Sequence, residues 1–246
     1  MVRVSRHVSA FIAKLFRLDD YAGKRRQTLL DRQVVYKVRN GFVTKQMRRA
    51  ALAEGQNVET VQAQATALLA RLPGTPGVDT DAEEVFAGKV WPLLSLAADA
   101  PVAGTTAGAA LELLALHLKL LKEADACAGW RMFREMKDLD WEHGLVHHIR
   151  PHADLPEAIE GLPEHKRLRD GFKLTDLRGT DKSVLAEVDQ CVFCHEREKD
   201  SCSKGLYDKK TGKIAKNPLG IDLNGCPLDE HISEMHMLYA EGDPLG

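Results

Sequence analysis

The stretch that decides the fold predicted for the C-terminal part of this chain is CVFCHEREKDSC, residues 191–202. Its first five residues fit the C-x-x-C-H pattern that attaches a c-type haem, with Cys191 and Cys194 as the thioether positions and His195 as the axial ligand. Two cysteines this close in sequence are also typical of the start of an iron–sulfur or a zinc site. The motif alone therefore leaves three metal chemistries open.

The cysteines that follow separate these chemistries. Cys202 comes after seven intervening residues, and Cys226 comes after a further 23, directly before Pro227. Three cysteines close in sequence and a remote Cys-Pro are typical of [4Fe–4S] ferredoxin-type sites, in which soft thiolates hold an iron–sulfide core. The spacing therefore favours an iron–sulfur cluster, with Cys191, Cys194, Cys202 and Cys226 as its ligands.

Two alternatives stay open at this point. A structural zinc site needs two close pairs of ligands, so His195 or His231 would have to complete the set. A c-type haem would take Met235 or Met237 as its second axial ligand, and it would have to be attached outside the cytosol.

The sequence predicts a cytosolic chain. Arg3, Arg6, Lys14 and Arg17 interrupt the apolar positions of the first 18 residues, which is unlike a signal peptide. No run of 18 apolar residues is present, so no transmembrane segment is predicted. In the cytosol, clustered cysteines are metal ligands or redox groups more often than disulfides, and haem attachment is disfavoured.

Charge is distributed unevenly along the chain. Residues 1–50 hold 13 Lys and Arg against 3 Asp and Glu, whereas the whole chain has a formal net charge of −2. Few aromatic residues are interleaved with these charges and no nucleic-acid motif is present, so nucleic acid is not expected as a partner. We interpret the basic segment as a docking region for an acidic part of the same protein, of a partner, or of another subunit in an oligomer.

Helical periodicity dominates the first two-thirds of the chain, and the predicted fold class is mainly α. The sequence predicts helices over the first 16 residues, over 27–55 with a break near Asn40–Gly41, over 57–72 with Asn57 as N-cap, over 80–100 with a kink at Pro92, and over 105–139. A short helix at 181–190 delivers Cys191, a β-hairpin turns at Thr211–Gly212, and Pro227 opens a final helix. We expect a helical docking domain at 1–150, a linker at 151–182 and an iron–sulfur domain at 183–246.

We also considered a group of four histidines and a fifth cysteine as candidate sites, and we expect ordinary structural roles for both. His143, His147, His148 and His152 have helical chelate spacing, but a glycine and a proline weaken that helix, so hydrogen-bonded or exposed histidines are expected. Cys127 is predicted to be a small core residue of the long helix.

The cysteine segments resemble a known family. CVFCHEREKDSC, followed by GCPLDEHISEMHMLYAEGDPLG at residues 225–246, resembles the N-terminal iron–sulfur domain of dihydropyrimidine dehydrogenase and of the glutamate synthase small subunit. The resemblance covers about residues 185–246. Through KDSCSKG and GCPLDEHISEMH, it is nearest to large bacterial proteins of the pyridine nucleotide-disulfide oxidoreductase family.

This resemblance implies an α-helical ferredoxin domain that works with FAD- and NAD(P)H-binding domains, either downstream or on a partner flavoprotein. In the family, the Cys-Pro cysteine serves a second cluster. The resemblance thus assigns Cys191, Cys194 and Cys202 to one cluster and Cys226 to another, both completed outside this stretch. The 23-residue insert before Cys226 departs from the family pattern, so a single cluster closed locally by Cys226 stays an alternative.

The expected function is an electron-transfer iron–sulfur module that passes electrons between flavin and a partner site. No residue is expected to perform acid–base catalysis, and Asp229, Glu230 and Glu234 are expected to cap and solvate the last helix. The alternative is a non-catalytic helical interaction module with a structural zinc site or, with less support, a c-type haem protein.

Overall fold

The computed structural model describes residues 2–134, 140, 148–166, 170–173, 178–197 and 199–245. It is mainly helical, as the sequence predicts. The described residues form eight α-helices: α1 Val2–Leu15, α2 Asp19–Val38, α3 Val58–Arg71, α4 Ala82–Val90, α5 Ala107–Glu123, α6 Asp181–Val188, α7 Ser201–Lys204 and α8 Ile232–Ala240. They also form two antiparallel two-stranded sheets: β1 Pro101–Val102 with β2 Thr105–Thr106, and β3 His148–Ile149 with β4 Glu160–Gly161.

The chain divides into two compact units. The first comprises Met1–Arg134, Asp181–Lys199 and His231–Gly246, and the second comprises Glu135–Thr180 and Asp200–Glu230. The predicted iron–sulfur domain, residues 183–246, therefore contributes to both units, and its delimitation stays a prediction. No helix of the described residues is both long and apolar enough to cross a membrane.

Helix starts in the first unit follow their capping residues. The Asn57 side chain accepts a hydrogen bond from the Thr60 amide at 3.2 Å, which confirms it as the N-cap of α3. The Asp81 carboxylate caps α4, and Thr106 caps α5. The predicted break after α2 is a π-helical turn, Arg39–Val43, and α4 passes at Pro92 into a 3-10 turn, Trp91–Ser95.

The core of the first unit lies where α2, α4 and α5 meet. Phe86 packs against Trp130 and Phe133 with ring centroids 5.8 and 6.2 Å away, in tilted and edge-on geometry. Each fully buried large apolar side chain contributes about 1.5–3 kcal/mol. The central members, all at most 4% exposed, are Leu29, Val35, Val38, Phe42, Phe86, Val90, Leu114, Leu118, Phe133 and Leu185.

Helix α5 is shorter than predicted. It ends at Glu123, and Asp125 adopts a left-handed conformation with φ 55°. The amides of Arg131 and Phe133 donate to the Glu83 carboxylate at 3.0 and 2.6 Å, so they are not used in a helical ladder. The prediction of helix over 124–134 was therefore wrong, and residues 135–139 lie outside the described part. Cys127 accordingly sits in a turn, half-buried against the core.

A charged network joins α4 to α6 inside the first unit. Glu83 is fully buried, and its carboxylate lies 2.7 Å from the Lys182 ammonium. Asp81 is the second partner of Lys182. Next to them, buried Glu84 pairs with Arg32 at 3.3 Å. Removing one member of such a buried pair leaves the other charge uncompensated.

The C-terminal helix begins later than predicted. Helix α8 starts at Ile232, because Pro227 lies in a turn and Asp229 adopts φ 51°. It packs against α2 and α6, with Leu238 buried. Met235, predicted on the same apolar side, is 58% exposed.

The predicted hairpin is confirmed in the second unit. Tyr207 and Ile214 form an antiparallel bridge around the turn that contains Gly212. The backbone amide and the side-chain hydroxyl of Thr211 both donate hydrogen bonds to the Asp208 carboxylate, and these bonds stabilise the turn. They also lower the pKa of the Asp208 carboxyl.

We expect Glu83→Gln to cost about 3 kcal/mol of unfolding free energy, because it uncouples a buried charge pair. The matched control is Glu187→Gln on α6, where Glu187 pairs with Arg134 at the surface and both side chains are about half exposed or more. It should cost no more than about 0.5 kcal/mol. Urea unfolding followed by circular dichroism measures both, and equal losses would contradict the role assigned to Glu83.

The charge of Asp81 should show in the pH dependence of stability. Burial opposes ionisation, but hydrogen bonds from Lys182 and from the Glu84 and Glu83 amides lower the pKa of Asp81 below 3.8. The stabilisation is thus present above about pH 4 and is lost as pH falls through the folded-state pKa. Asp81→Asn keeps the cap, so its deficit should be under about 1 kcal/mol near neutral pH and vanish in acid. A deficit that does not change with pH would show that the charge contributes nothing.

Candidate metal centre

Helix α6 sets the position of Cys191. Its buried face, which includes Leu185, Ala186 and Val188, packs into the first unit. The chain leaves the helix in a turn closed by a hydrogen bond from the Cys191 amide to the Val188 carbonyl at 3.0 Å. The sequence prediction that a short helix delivers Cys191 is confirmed.

Arg39 holds the peptide just before Cys191. Its guanidinium, in the π-helical turn after α2, donates to the Asp189 carbonyl at 2.9 Å and to the Gln190 side chain at 2.7 Å. A cation at the C-terminal end of α6 also complements the helix dipole. Sequence reasoning missed Arg39 as a supporting residue, because 150 residues separate it from Asp189.

Among the acidic residues beside the cysteine segment, Asp189 has the most strongly shifted pKa. Its side chain is 2% exposed. Burial raises the pKa of the Asp189 carboxyl to about 7, although the positive charge of Arg39 opposes the rise. Near neutral pH this carboxyl is therefore only partly ionised, so it adds less negative charge beside Cys191 than an ordinary aspartate would.

The turn between Cys191 and Cys194 aims an amide at sulfur. The Phe193 amide donates to the Cys191 Sγ at 3.4 Å. Phe193 has φ 45°, a conformation that costs a non-glycine residue about 1 kcal/mol or more and that is concentrated at functional sites. Its ring lies 6.3 Å from that of Tyr36, which anchors the turn. Amide hydrogen bonds to cysteine sulfur are among the features that set cluster potentials.

Cys194 begins the 3-10 turn Cys194–Arg197 and is 4% exposed. Its carbonyl accepts the Lys199 amide at 3.1 Å. The ring of His195 follows it, with Nε2 3.8 Å from a Glu234 carboxylate oxygen, and the second Glu234 oxygen lies 3.3 Å from Nδ1 of His231.

Glu234 was expected to cap and solvate the last helix; it does lie in the first turn of α8, but it is not solvated as expected. Its side chain is 14% exposed and lies between the two histidines. His195 and His231 therefore both face the same carboxylate. Met235, one of the two methionines considered for haem, is exposed on α8.

In the second unit, the structure brings Cys202 and Cys226 together. The Cys226 amide donates to the Cys202 carbonyl at 2.7 Å, although 23 residues separate the two cysteines. Cys202 lies on α7, whose first turn is capped by the Asp200 side chain through the Ser203 amide. Both cysteines are partly exposed.

Two glycines permit this contact. A Cβ on Gly225 would lie 1.9 Å from the Ser203 carbonyl oxygen, and one on Gly205 would lie 2.7 Å from the Leu223 carbonyl oxygen. The chain around Gly225 thus passes against α7 at a distance that no side chain allows. This is the physical reason for a glycine directly before Cys226.

Each unit therefore holds two of the four predicted ligands. Cys191 and Cys194 bracket one turn of the first unit, and Cys202 and Cys226 adjoin in the second. None of the five cysteines, all of which are described, forms a disulfide. No three His, Cys, Asp or Glu side chains of the described residues converge on a metal position.

Among the described residues, the other candidate positions play no part in this geometry. His143 and His147 lie outside the described residues, whereas His148 belongs to β3 and His152 is exposed. Burial raises the pKa of the Cys127 thiol, so Cys127 is a poor thiolate ligand.

Comparisons with known proteins assign no family to this chain. No family model matches it, and no solved structure matches it. Over 115 residues it is 29% identical to an uncharacterized protein of Rickettsia prowazekii (strain Madrid E). That alignment covers 43% of this chain and 39% of the relative, so the chain spans well under two-thirds of the relative's length.

We expect Gly225→Ala to break the contact between Cys202 and Cys226, because the added Cβ collides with the Ser203 carbonyl. The loss of stability should be about 1–3 kcal/mol, together with a clear loss of bound iron after anaerobic reconstitution. Gly161→Ala is the matched control in the same unit, since its Cβ would meet nothing within 4 Å. Iron retention by Gly225→Ala equal to that of the control would contradict the role given to this contact.

Proposed function

We propose that this chain is an iron–sulfur electron-transfer module in which Cys191, Cys194, Cys202 and Cys226 ligate [4Fe–4S] iron. One observation carries the proposal: the hydrogen bond and the glycine contact that hold Cys202 and Cys226 together across 23 intervening residues. These are the two ligands that the sequence leaves far apart. The match to the Cys-Pro ligand pattern supports the same assignment.

The residues around the cysteines fit an iron–sulfur group in their chemistry. Four thiols are the ligand type that such clusters use, and such a group, when bound, supplies one-electron transfer. The Phe193 amide directed at the Cys191 sulfur would stabilise a thiolate there. Burial of Cys194 shields one ligand from water, and burial is a second feature that sets the potential.

The structural zinc alternative has less support. Its sequence version relied on His195 or His231 as an additional ligand, whereas the four cysteines match the iron–sulfur pattern without a histidine.

We further propose that the redox partner is a flavoprotein domain or subunit that binds FAD and NAD(P)H, and that the module works in the cytosol. Support comes from the resemblance of residues 185–246 to the iron–sulfur domain of pyridine nucleotide-disulfide oxidoreductases. Residues 1–150 are proposed to serve docking, and the exposed basic side chains of the first 50 residues support this.

Anaerobic reconstitution with iron and sulfide tests the ligand assignment. We expect iron and acid-labile sulfide in equal amounts, with broad visible absorption that bleaches on reduction. Cys191→Ser, Cys194→Ser and Cys202→Ser should each lose most of both. Cys127→Ser, the one cysteine outside the proposed set, should retain them.

Three outcomes would contradict the proposal. One is tight binding of a single zinc with iron excluded, another is a covalent haem that survives denaturation, and the third is equal iron content in all cysteine variants. Cys226→Ser then separates the two ligand arrangements: a single local cluster loses its iron, whereas the family arrangement keeps the cluster of the other three cysteines.

A further inference from the structure

Helix α1 presents its apolar side to solvent. Val4, Val8, Phe11 and Leu15 are 61, 45, 64 and 61% exposed. They recur at i, i+4, i+7 and i+11, which places them in one row along the helix. Phe16, directly after the helix, is also exposed, at 65%.

The opposite side of α1 is the one that the first unit covers. Ala13 is buried, and α1 packs against α2. The Ser9 hydroxyl donates to the Asp243 carboxylate, and Arg6 pairs with Glu241. Helix α1 thus contacts the rest of the first unit through small and polar side chains. Its apolar row does not contribute to the core of this unit.

The charged side chains of α1 are all positive, and Arg6 among them lies on the docked side, paired with Glu241. Residues 2–18 hold Arg3, Arg6, Lys14 and Arg17 and no acidic residue. At 100° per residue, Arg3 and Lys14 lie on one flank of the apolar row, and both are exposed. The first acidic residues are Asp19 and Asp20, at the start of α2.

This combination fits a lipid surface. Helices with Phe and Leu on one side and Lys or Arg beside them lie in the interface of a bilayer, where the apolar side chains reach the acyl boundary and the cations meet headgroup phosphates. With 14 residues, α1 is too short to span a bilayer. Charge complementarity favours an anionic surface, such as the cytoplasmic leaflet.

We propose that α1 is an interfacial anchor that binds anionic lipid, with Val4, Val8, Phe11 and Leu15 inserted and Arg3 and Lys14 on headgroup phosphates. The anchor places the first unit on a membrane surface without a spanning segment. This inference is independent of the metal bound by the cysteines.

Vesicle flotation of the full chain tests the anchor. Vesicles of phosphatidylglycerol and phosphatidylcholine should bind the chain, and pure phosphatidylcholine should bind it about tenfold less or weaker. High salt should weaken binding to the anionic vesicles. Phe11→Ser should reduce binding about tenfold, and the double variant Arg3→Gln/Lys14→Gln should do the same and remove much of the salt dependence.

The controls match these changes. Phe172→Ser alters a fully exposed phenylalanine outside α1, and Lys209→Gln/Lys210→Gln removes the same charge from the hairpin of the second unit. Both should bind vesicles like the unchanged chain. Circular dichroism should show that all variants keep their helix content, and iron content after reconstitution should not change with Phe11→Ser.

The proposal fails if anionic and neutral vesicles bind alike, or if the controls weaken binding as much as the α1 variants. It also fails if the chain does not bind vesicles and instead forms a dimer that dissociates in the Phe11→Ser variant. That result would assign the apolar row to a second copy of the chain.

Discussion

The buried carboxylate of Glu83 is the interaction on which the first unit depends. It accepts two backbone amides from the segment after α5 and pairs with Lys182 at the start of α6. A charge this deep is tolerated only while all of these partners stay in place. Glu83 therefore holds both the segment after α5 and the start of the helix that precedes Cys191.

A second constraint of a different kind acts on the other pair of ligands. Cys226 reaches Cys202 because Gly225 and Gly205 let two backbone segments touch where any side chain would collide. In one unit, the buried ion pair of Glu83 and Lys182 holds the helix that precedes Cys191 and Cys194. In the other, glycines allow the close backbone approach that places Cys202 beside Cys226. Each pair is therefore set by the polypeptide within its own unit.

Short sequence motifs correctly predicted the features that depend on residues close together in the sequence. Asn57 as a cap, the short helix before Cys191 and the hairpin at Gly212 each depend on neighbours in sequence, and each is confirmed. The non-helical path of Arg131 and Phe133 was missed because their amides donate to Glu83, about 50 residues away. The spacing of apolar residues predicted helix α1, but it did not predict that these residues are exposed to solvent. Periodicity shows which residues share one side of a helix, and it does not show whether another part of the protein covers that side. The iron–sulfur assignment itself stays a prediction from cysteine spacing and resemblance.

X-ray absorption at the iron edge of the anaerobically reconstituted chain tests the central claim most directly. The account predicts a first shell of sulfur alone, from thiolates and sulfide, and a short iron–iron vector that marks a cluster. A first shell of nitrogen and oxygen without an iron–iron vector would contradict it, because iron would then be bound adventitiously and not by the four cysteines.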